Sequence, residues 1–283
     1  MANRKQRALK RQESQNAFKT LFANIRFSEI DTPLRTLCIT SSVPNEGKTT
    51  AAVNLAQAIA SSGKRVLLVE ADMRRRSLAN VLQVHPANGI YDVLSGNVAL
   101  ERAVAATTTA GLWFLDAEPS LPNPADIVAS KRYRALVEKM ADAFDYVIFD
   151  TPPVSTFIDA AVVSTLVDGT LLLIKQRSTK RAVILESLEQ LKKANANILG
   201  TVLTFCKEGT SDYYYAYYNA SGKRVESPAA GSAAPAPQKA EAPEERTASF
   251  AAGTYSPTSG GVGQNYSYAS PVKPVGGLGR KGK

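Results

Sequence analysis

Residues 38–50 read Cys-Ile-Thr-Ser-Ser-Val-Pro-Asn-Glu-Gly-Lys-Thr-Thr. An apolar run, Leu37–Thr40, leads in, and a helical pattern over Lys48–Ser61 leads out. A strand, a loop and then Gly47-Lys48-Thr49 at a helix start form the setting of a phosphate-binding loop. The loop's N–H groups, with those of the first helical turn, attract an anion. Ser42, Pro44, Asn45, Glu46, Gly47, Lys48, Thr49 and Thr50 are therefore the expected nucleotide-binding residues. Lys48 is expected to reach the β- and γ-phosphates of ATP, and the Thr49 hydroxyl to ligate Mg²⁺. In the pattern G-x-x-x-x-G-K-[ST], Ser42 replaces the first glycine. Asn45 stands at a second glycine-like position, where its tolerance of left-handed backbone helps. A chance G-K-T is the alternative, and two acidic strand ends further along weigh against it.

The first of these ends is Phe144-Asp-Tyr-Val-Ile-Phe-Asp150, followed by Thr151-Pro-Pro153. An apolar strand ending in aspartate suits a metal ligand, and Asp150 is read so. Capping of the next helix is the other use of such an aspartate, and the prolines argue for a fixed loop instead. The second end is Val66-Leu-Leu-Val-Glu-Ala-Asp-Met-Arg-Arg-Arg76. Glu70 and Asp72 are candidates to hold a metal's water or to accept a proton from an attacking hydroxyl. A solvated strand end is the alternative. The catalytic set expected is Lys48, Glu70, Asp72 and Asp150, with Thr49, Asp72 and Asp150 as metal ligands. Arg74–Arg76 are candidates to stabilise phosphate charge or to bind an acidic partner.

Outward from the loop, strand and helix patterns alternate. Strands are expected at Leu37–Thr40, Val66–Glu70, Leu112–Leu115, Tyr146–Asp150, Thr170–Lys175 and Ile198–Phe205. Helices are expected over residues 14–30, Lys48–Ser61, Gly89–Leu94, Ala99–Val104, Asn123–Ala143, Thr156–Val167 and Lys180–Ala194. Phe18, Leu21, Phe22 and Ile25 mark the apolar face of the first helix. Asn123 reads as an N-cap with Pro124 at the first helical position. The strands are continuous apolar runs, as in strands buried on both faces of a parallel sheet. The fold expected is α/β: a doubly wound, mostly parallel sheet of the P-loop NTPase type, with ligands beyond the carboxyl ends of its strands.

The chain has 283 residues and a net charge of +9. Large aliphatic residues nearly vanish after Lys207, where Gly, Pro, Ala, Ser and Tyr take over. Such a composition buries too little apolar surface to offset its ordering entropy. The expected division is a basic segment and helix over 1–30, a P-loop domain over 31–206 and a disordered, tyrosine-rich tail over 207–283. Cys38 and Cys206 form no disulfide framework and read as buried, inert thiols of a cytosolic protein. No stretch approaches the roughly 18 apolar residues of a membrane span, and the N-terminus lacks the apolar region of a signal peptide. Basic residues gather at the ends, at Arg4, Lys5, Arg7, Lys10, Arg11 and Lys19 and at Arg280, Lys281 and Lys283. They read either as solvated tails or as contacts to nucleic acid or an anionic membrane face.

Together these elements resemble the bacterial tyrosine autokinases of capsule and exopolysaccharide synthesis, over roughly residues 14 to 218. The loop is similar to their S-S-x-P-G-E-G-K-[ST] form at Ser41, Ser42, Pro44, Glu46, Gly47, Lys48 and Thr49. Val66–Arg74 is similar to their h-h-h-D-x-D-x-R motif, with Glu70 in place of the first aspartate. Phe149–Pro153, Gly89–Gly96 and Pro122-Asn-Pro124 match further stretches. Asn16, Lys19 and Phe22 occupy the positions of the E-x-x-R-x-x-R pattern used in ring assembly. Thr204 stands where the last strand often ends in asparagine near the adenine.

The resemblance implies transfer of the γ-phosphoryl of ATP to clustered tyrosines of the chain's own C-terminal segment, with Mg²⁺ as cofactor. The acceptors implied are Tyr213, Tyr214, Tyr215, Tyr217 and Tyr218. With Tyr255, Tyr266 and Tyr268 they place eight of the eleven tyrosines beyond residue 206. It also implies a stand-alone cytoplasmic kinase, recruited to the inner face of the cell membrane by a membrane-anchored activator of polysaccharide export. Other chains of the same protein are expected partners, and nucleic acid is not. Two other readings remain. One is a partitioning-type P-loop ATPase switch binding DNA or membrane, against which Val43 stands in place of the signature lysine of K-G-G-x-G-K-T. The other is a catalytically weak regulator of polysaccharide export.

Overall fold

A computed structural model describes residues 2–28 and 33–206. They lie in the first of the chain's two units, Met1–Val225, and only that unit is treated below. The expected tail, with all of its tyrosines, lies outside the described residues.

The described strands are β1 (Thr36–Ser41), β2 (Val66–Glu70), β3 (Ala105–Ala106), β4 (Leu112–Leu115), β5 (Tyr146–Asp150), β6 (Gly169–Lys175) and β7 (Ile198–Thr204). They form one seven-stranded sheet in the order β3-β4-β2-β5-β1-β6-β7. Every pairing is parallel except that of the short edge strand β3 with β4. The helices are α1 (Ala2–Phe27), α2 (Lys48–Ala60), α3 (Leu78–Leu82), α4 (Ile90–Ser95), α5 (Leu100–Ala103), α6 (Pro124–Ala129), α7 (Lys131–Ala143), α8 (Asp159–Ser164) and α9 (Arg181–Lys193).

The core explains the continuous apolar runs. Leu37, Ile39, Leu68 and Ile148 join Phe22, Leu55 and Ile59 of α1 and α2. The alternate residues Cys38, Leu67, Val69, Val147 and Phe149 join Tyr133, Leu136 and Met140 of α7. Successive side chains point to opposite faces, and both faces are covered, so Leu37–Ile39, Val66–Val69 and Val147–Phe149 hold no charged or amide side chain before the carboxyl end. Phe22 and Ile25 are buried, and Phe22 meets Tyr146 edge-on with ring centroids 5.4 Å apart.

Several expectations shift. The helix begins at Ala2 rather than near residue 14, because the Arg-, Lys-, Gln- and Ala-rich segment upstream is itself helix-forming. The single helix expected over Asn123–Ala143 is two. Ser130 is extended, and its hydroxyl accepts a hydrogen bond from the Tyr133 N–H, so a new helix starts there. Asn123 has left-handed backbone and makes no side-chain cap. The helix expected over Thr156–Val167 shrinks to Asp159–Ser164. Helix α3 and strand β3 carry too few residues to show a period. Cys38 is buried, and burial pushes its thiol up to about 12. Cys206 is exposed, contrary to the expectation, because it follows the edge strand β7.

Candidate active site

Strand β1 delivers residues 42–47 to the carboxyl end of the sheet, and Gly47 caps α2 with φ 86°. Asn45 adopts φ 63°, the left-handed backbone for which asparagine is suited. Glu46 braces the loop. Its side chain is buried and accepts hydrogen bonds from the Val43 N–H (2.9 Å), the Lys175 N–H (3.0 Å) and the Thr179 hydroxyl. Its carbonyl accepts from the Thr204 hydroxyl at 2.8 Å. One side chain thus ties the loop to the ends of β6 and β7. The segment after β5 is tied in as well: the Val154 N–H donates to the Ser41 carbonyl (2.9 Å), the Thr40 hydroxyl to the Pro152 carbonyl (2.9 Å) and Ser155 to the Ser42 carbonyl.

Lys48, at the start of α2, makes no hydrogen bond or ion pair among the described residues, yet its charge lowers the pKa of both Asp72 and Asp150. Parallel pairing sets Glu70 opposite Asp150. Both are buried. Burial first, and then mutual repulsion, raises Glu70 to about 8. Burial also raises Asp150, to about 7, against the opposing pull of Thr49 and Lys48. Asp72 is raised by burial too, opposed by the N–H groups of Arg75 and Arg74 and by Lys48.

The three carboxylates differ in what they do. Glu70 Oε2 accepts from the N–H groups of Ser77 (2.7 Å) and Leu78 (2.9 Å), so it anchors the start of α3. Asp72 Oδ1 accepts from the Arg75 N–H at 2.9 Å. Neither oxygen of Asp150 has a hydrogen bond of ordinary geometry, and the Thr49 hydroxyl lies within reach of Ser77 at 3.0 Å. Buried polar atoms are normally satisfied. Two orphaned carboxylate oxygens beside a lysine, a threonine hydroxyl and an anion-binding loop fit a divalent cation held with a nucleotide's phosphates. Ser42 Oγ and Glu70 Oε1 are also buried without partners. Among the described residues no group of three or more His, Cys, Asp or Glu side chains gathers around one point. Few protein ligands, with phosphate and water completing the shell, is a usual arrangement for Mg²⁺.

The arginine run is divided. Arg74 pairs with buried Asp159 at 3.2 Å and lies over the Phe157 ring at 4.3 Å. Arg76 pairs with buried Asp116. Both hold the loop after β2 in place, and Arg75 is exposed. The sequence reading missed Thr179, Asp159 and Asp116. Their partners lie 133, 85 and 40 residues away, beyond any local pattern.

A family model described as an AAA domain matches residues 34–199. The tyrosine-protein kinase YwqD of Bacillus subtilis is 33% identical over 201 residues, 71% of this chain and 84% of that protein. Among solved structures, the kinase domain of the Escherichia coli tyrosine kinase ETK aligns with a TM-score of 0.66 at 30% identity, covering 70% of this chain and 77% of that one. The septum site-determining protein MinD of Pyrococcus horikoshii, solved with Mg-ADP, aligns with a TM-score of 0.52 at 25% identity, over 60% and 69%.

Proposed function

The chain belongs to the bacterial tyrosine-protein kinases built on this AAA domain, and from that premise we propose that it transfers the γ-phosphoryl of ATP to tyrosines of its own C-terminal segment and so regulates capsular or exopolysaccharide synthesis. The observation that carries the site assignment is the orphaned Asp150 carboxylate beside Lys48 and Thr49, where the phosphate-binding loop enters α2.

Phosphoryl transfer asks a protein mainly to position groups and neutralise charge. In this reading Lys48 and the N–H groups from Asn45 to Thr50 hold the phosphates. The Thr49 hydroxyl and Asp150, with Asp72 nearby, hold the cation. Bound Mg²⁺ supplies charge neutralisation on the phosphate oxygens. Asp72 orients the acceptor hydroxyl and takes its proton, a task helped by its raised pKa. Glu70 is assigned a supporting part, since one of its oxygens is spent on the start of α3. Glu46 shapes the loop through its carboxylate and contributes only its N–H to the ligand. The acceptors in this reading are Tyr213, Tyr214, Tyr215, Tyr217 and Tyr218.

The chain would work at the inner face of the cell membrane, brought there and activated by a membrane-anchored partner. Among the described residues no helix is long and apolar enough to cross a membrane. A partitioning ATPase is disfavoured by Val43 and by the closer match to a kinase domain than to MinD.

The test is incubation of the full chain with Mg-ATP and the cytoplasmic end of the activator, read as phosphotyrosine. Wild type should label and Lys48→Met alone should not. Mixing Lys48→Met chains with active chains lacking residues 207–283 separates the routes: label on the Lys48→Met chain means transfer between chains. An unlabelled wild type that still binds ATP would overturn the kinase assignment.

A further inference from the structure

The turn that joins β6 to α9 is strongly basic. Lys175, Arg177, Lys180 and Arg181 lie along it, and no acidic residue falls between Lys175 and Glu186. Arg177, Lys180 and Arg181 are exposed and make no ion pair among the described residues. The turn is nevertheless fixed. The Ser178 and Thr179 N–H groups donate to the Lys175 carbonyl at 3.3 and 3.4 Å. Arg177 takes φ 58°, left-handed backbone that is uncommon outside glycine. Glu46 clamps the turn through the Lys175 N–H and the Thr179 hydroxyl. That carboxylate is buried and spent on these donors, so it gives the exposed cations no partner. A fixed basic turn without a neutralising partner suits an anion, and its arginines suit phosphate.

The chain itself passes this turn. Strand β7 pairs with β6, and the Gln176 N–H donates to the Thr204 carbonyl at 3.0 Å. Tyr213 stands seven residues beyond Cys206, a span of up to about 23 Å when extended. Residues 209–220 hold one acid, Asp212, and the five clustered tyrosines. Each phosphate on them would add about −1.5 to −2 charge and three acceptor oxygens.

We propose that Arg177, Lys180 and Arg181 form a phosphotyrosine-binding surface, which captures the segment Tyr213–Tyr218 once it is phosphorylated. The proposal rests on the reading of these tyrosines as phosphoacceptors. Arg177 and Arg181 offer forked donors to phosphate, and Lys180 adds a point charge. Unmodified tyrosines have no charge to match, so the surface separates product from substrate. Attachment in one chain raises the effective concentration to the millimolar range, so individually weak contacts suffice.

The test uses the full chain, treated with a tyrosine phosphatase and kept without ATP, and synthetic peptides of residues 209–220 followed by fluorescence anisotropy. One peptide carries phosphate on Tyr213, Tyr215 and Tyr217. A second is unmodified, and a third carries Tyr213→Glu, Tyr215→Glu and Tyr217→Glu. The phosphopeptide should bind at least about tenfold more tightly than either of the others. The triple variant Arg177→Glu, Lys180→Glu, Arg181→Glu should lose about tenfold or more of this affinity. Its ADP affinity by calorimetry should stay at the wild-type value. If ADP binding falls too, Arg177→Gln and Arg181→Gln decide singly, each expected to weaken the phosphopeptide about twofold. No loss in either would overturn the surface. Equal binding of the three peptides, no binding of the phosphopeptide, or full binding by the triple variant would also overturn it. Because the peptides are synthetic, a chain that captures the phosphopeptide yet fails to label with Mg-ATP would overturn the kinase reading and not the surface.

Discussion

Both carboxylate oxygens of Asp150 are buried without an ordinary hydrogen bond, and burial holds this group up near pH 7 and Glu70 beside it near pH 8. Both pKa values are raised, so the folded chain keeps protons that the unfolded chain releases above roughly pH 4 to 5. The stability this contributes is complete below the unfolded values and is lost progressively as pH rises from there through the folded values of about 7 and 8. The nucleotide-free protein should therefore melt at progressively lower temperature from about pH 5 to pH 8 and level off above, a trend that scanning fluorimetry measures. Asp150→Asn, whose side chain is neutral throughout, should flatten the trend, and a flat or rising wild-type profile would contradict it. Lys48 makes no ion pair among the described residues. Its replacement by methionine removes charge stabilisation where phosphoryl transfer needs it and should lower phosphotransfer by about 100-fold or more in initial-rate assays.

At the scale of elements, Glu46 joins the phosphate loop to β6 through the N–H groups of Val43 and Lys175. Glu46→Gln would set an amide N–H₂ against one of these donors and should cost about 1–3 kcal/mol of stability. ADP affinity, measured by calorimetry, should fall although the side chain touches no phosphate. Ser130 marks the break between α6 and α7 by capping Tyr133. Ser130→Ala should cost about 1 kcal/mol, roughly 2–4 °C of melting temperature, with ADP binding unchanged. These two residues show where the sequence stopped being legible. Strands β2, β4 and β5 match their expected limits, because a strand buried on both faces is a bounded apolar run. The placement of the loop, Asp72 and Asp150 at the carboxyl end of the sheet was legible, because a strand followed by a loop and G-K-T, and apolar runs ending in acids, mark strand ends. Ser130 was hidden inside a longer helical pattern. The bracing role of the Glu46 side chain was not legible, because its partners, 129 and 133 residues away, are joined to it by the sheet order. The contacts of Glu70 to the start of α3 were hidden for the same reason, since they follow from a turn with no signal of its own.

The whole molecule places its chemistry at one edge of a sheet and, in the proposed function, its substrate in the same chain. The described unit supplies a rigid phosphate site, with the loop tied to β5, β6 and β7 by hydrogen bonds that span most of the domain's sequence. In the proposed function the tyrosines clustered after residue 206 are the destination of the transferred phosphate, and each phosphate would add about −1.5 to −2 charge there. Phosphopeptide mapping by mass spectrometry, on the full chain incubated with Mg-ATP and its activator, tests this directly. The account predicts phosphate on tyrosines among Tyr213–Tyr218 in wild type and none there in Lys48→Met. Unmodified tyrosines in a wild-type chain that binds ATP in the activator's presence would contradict it.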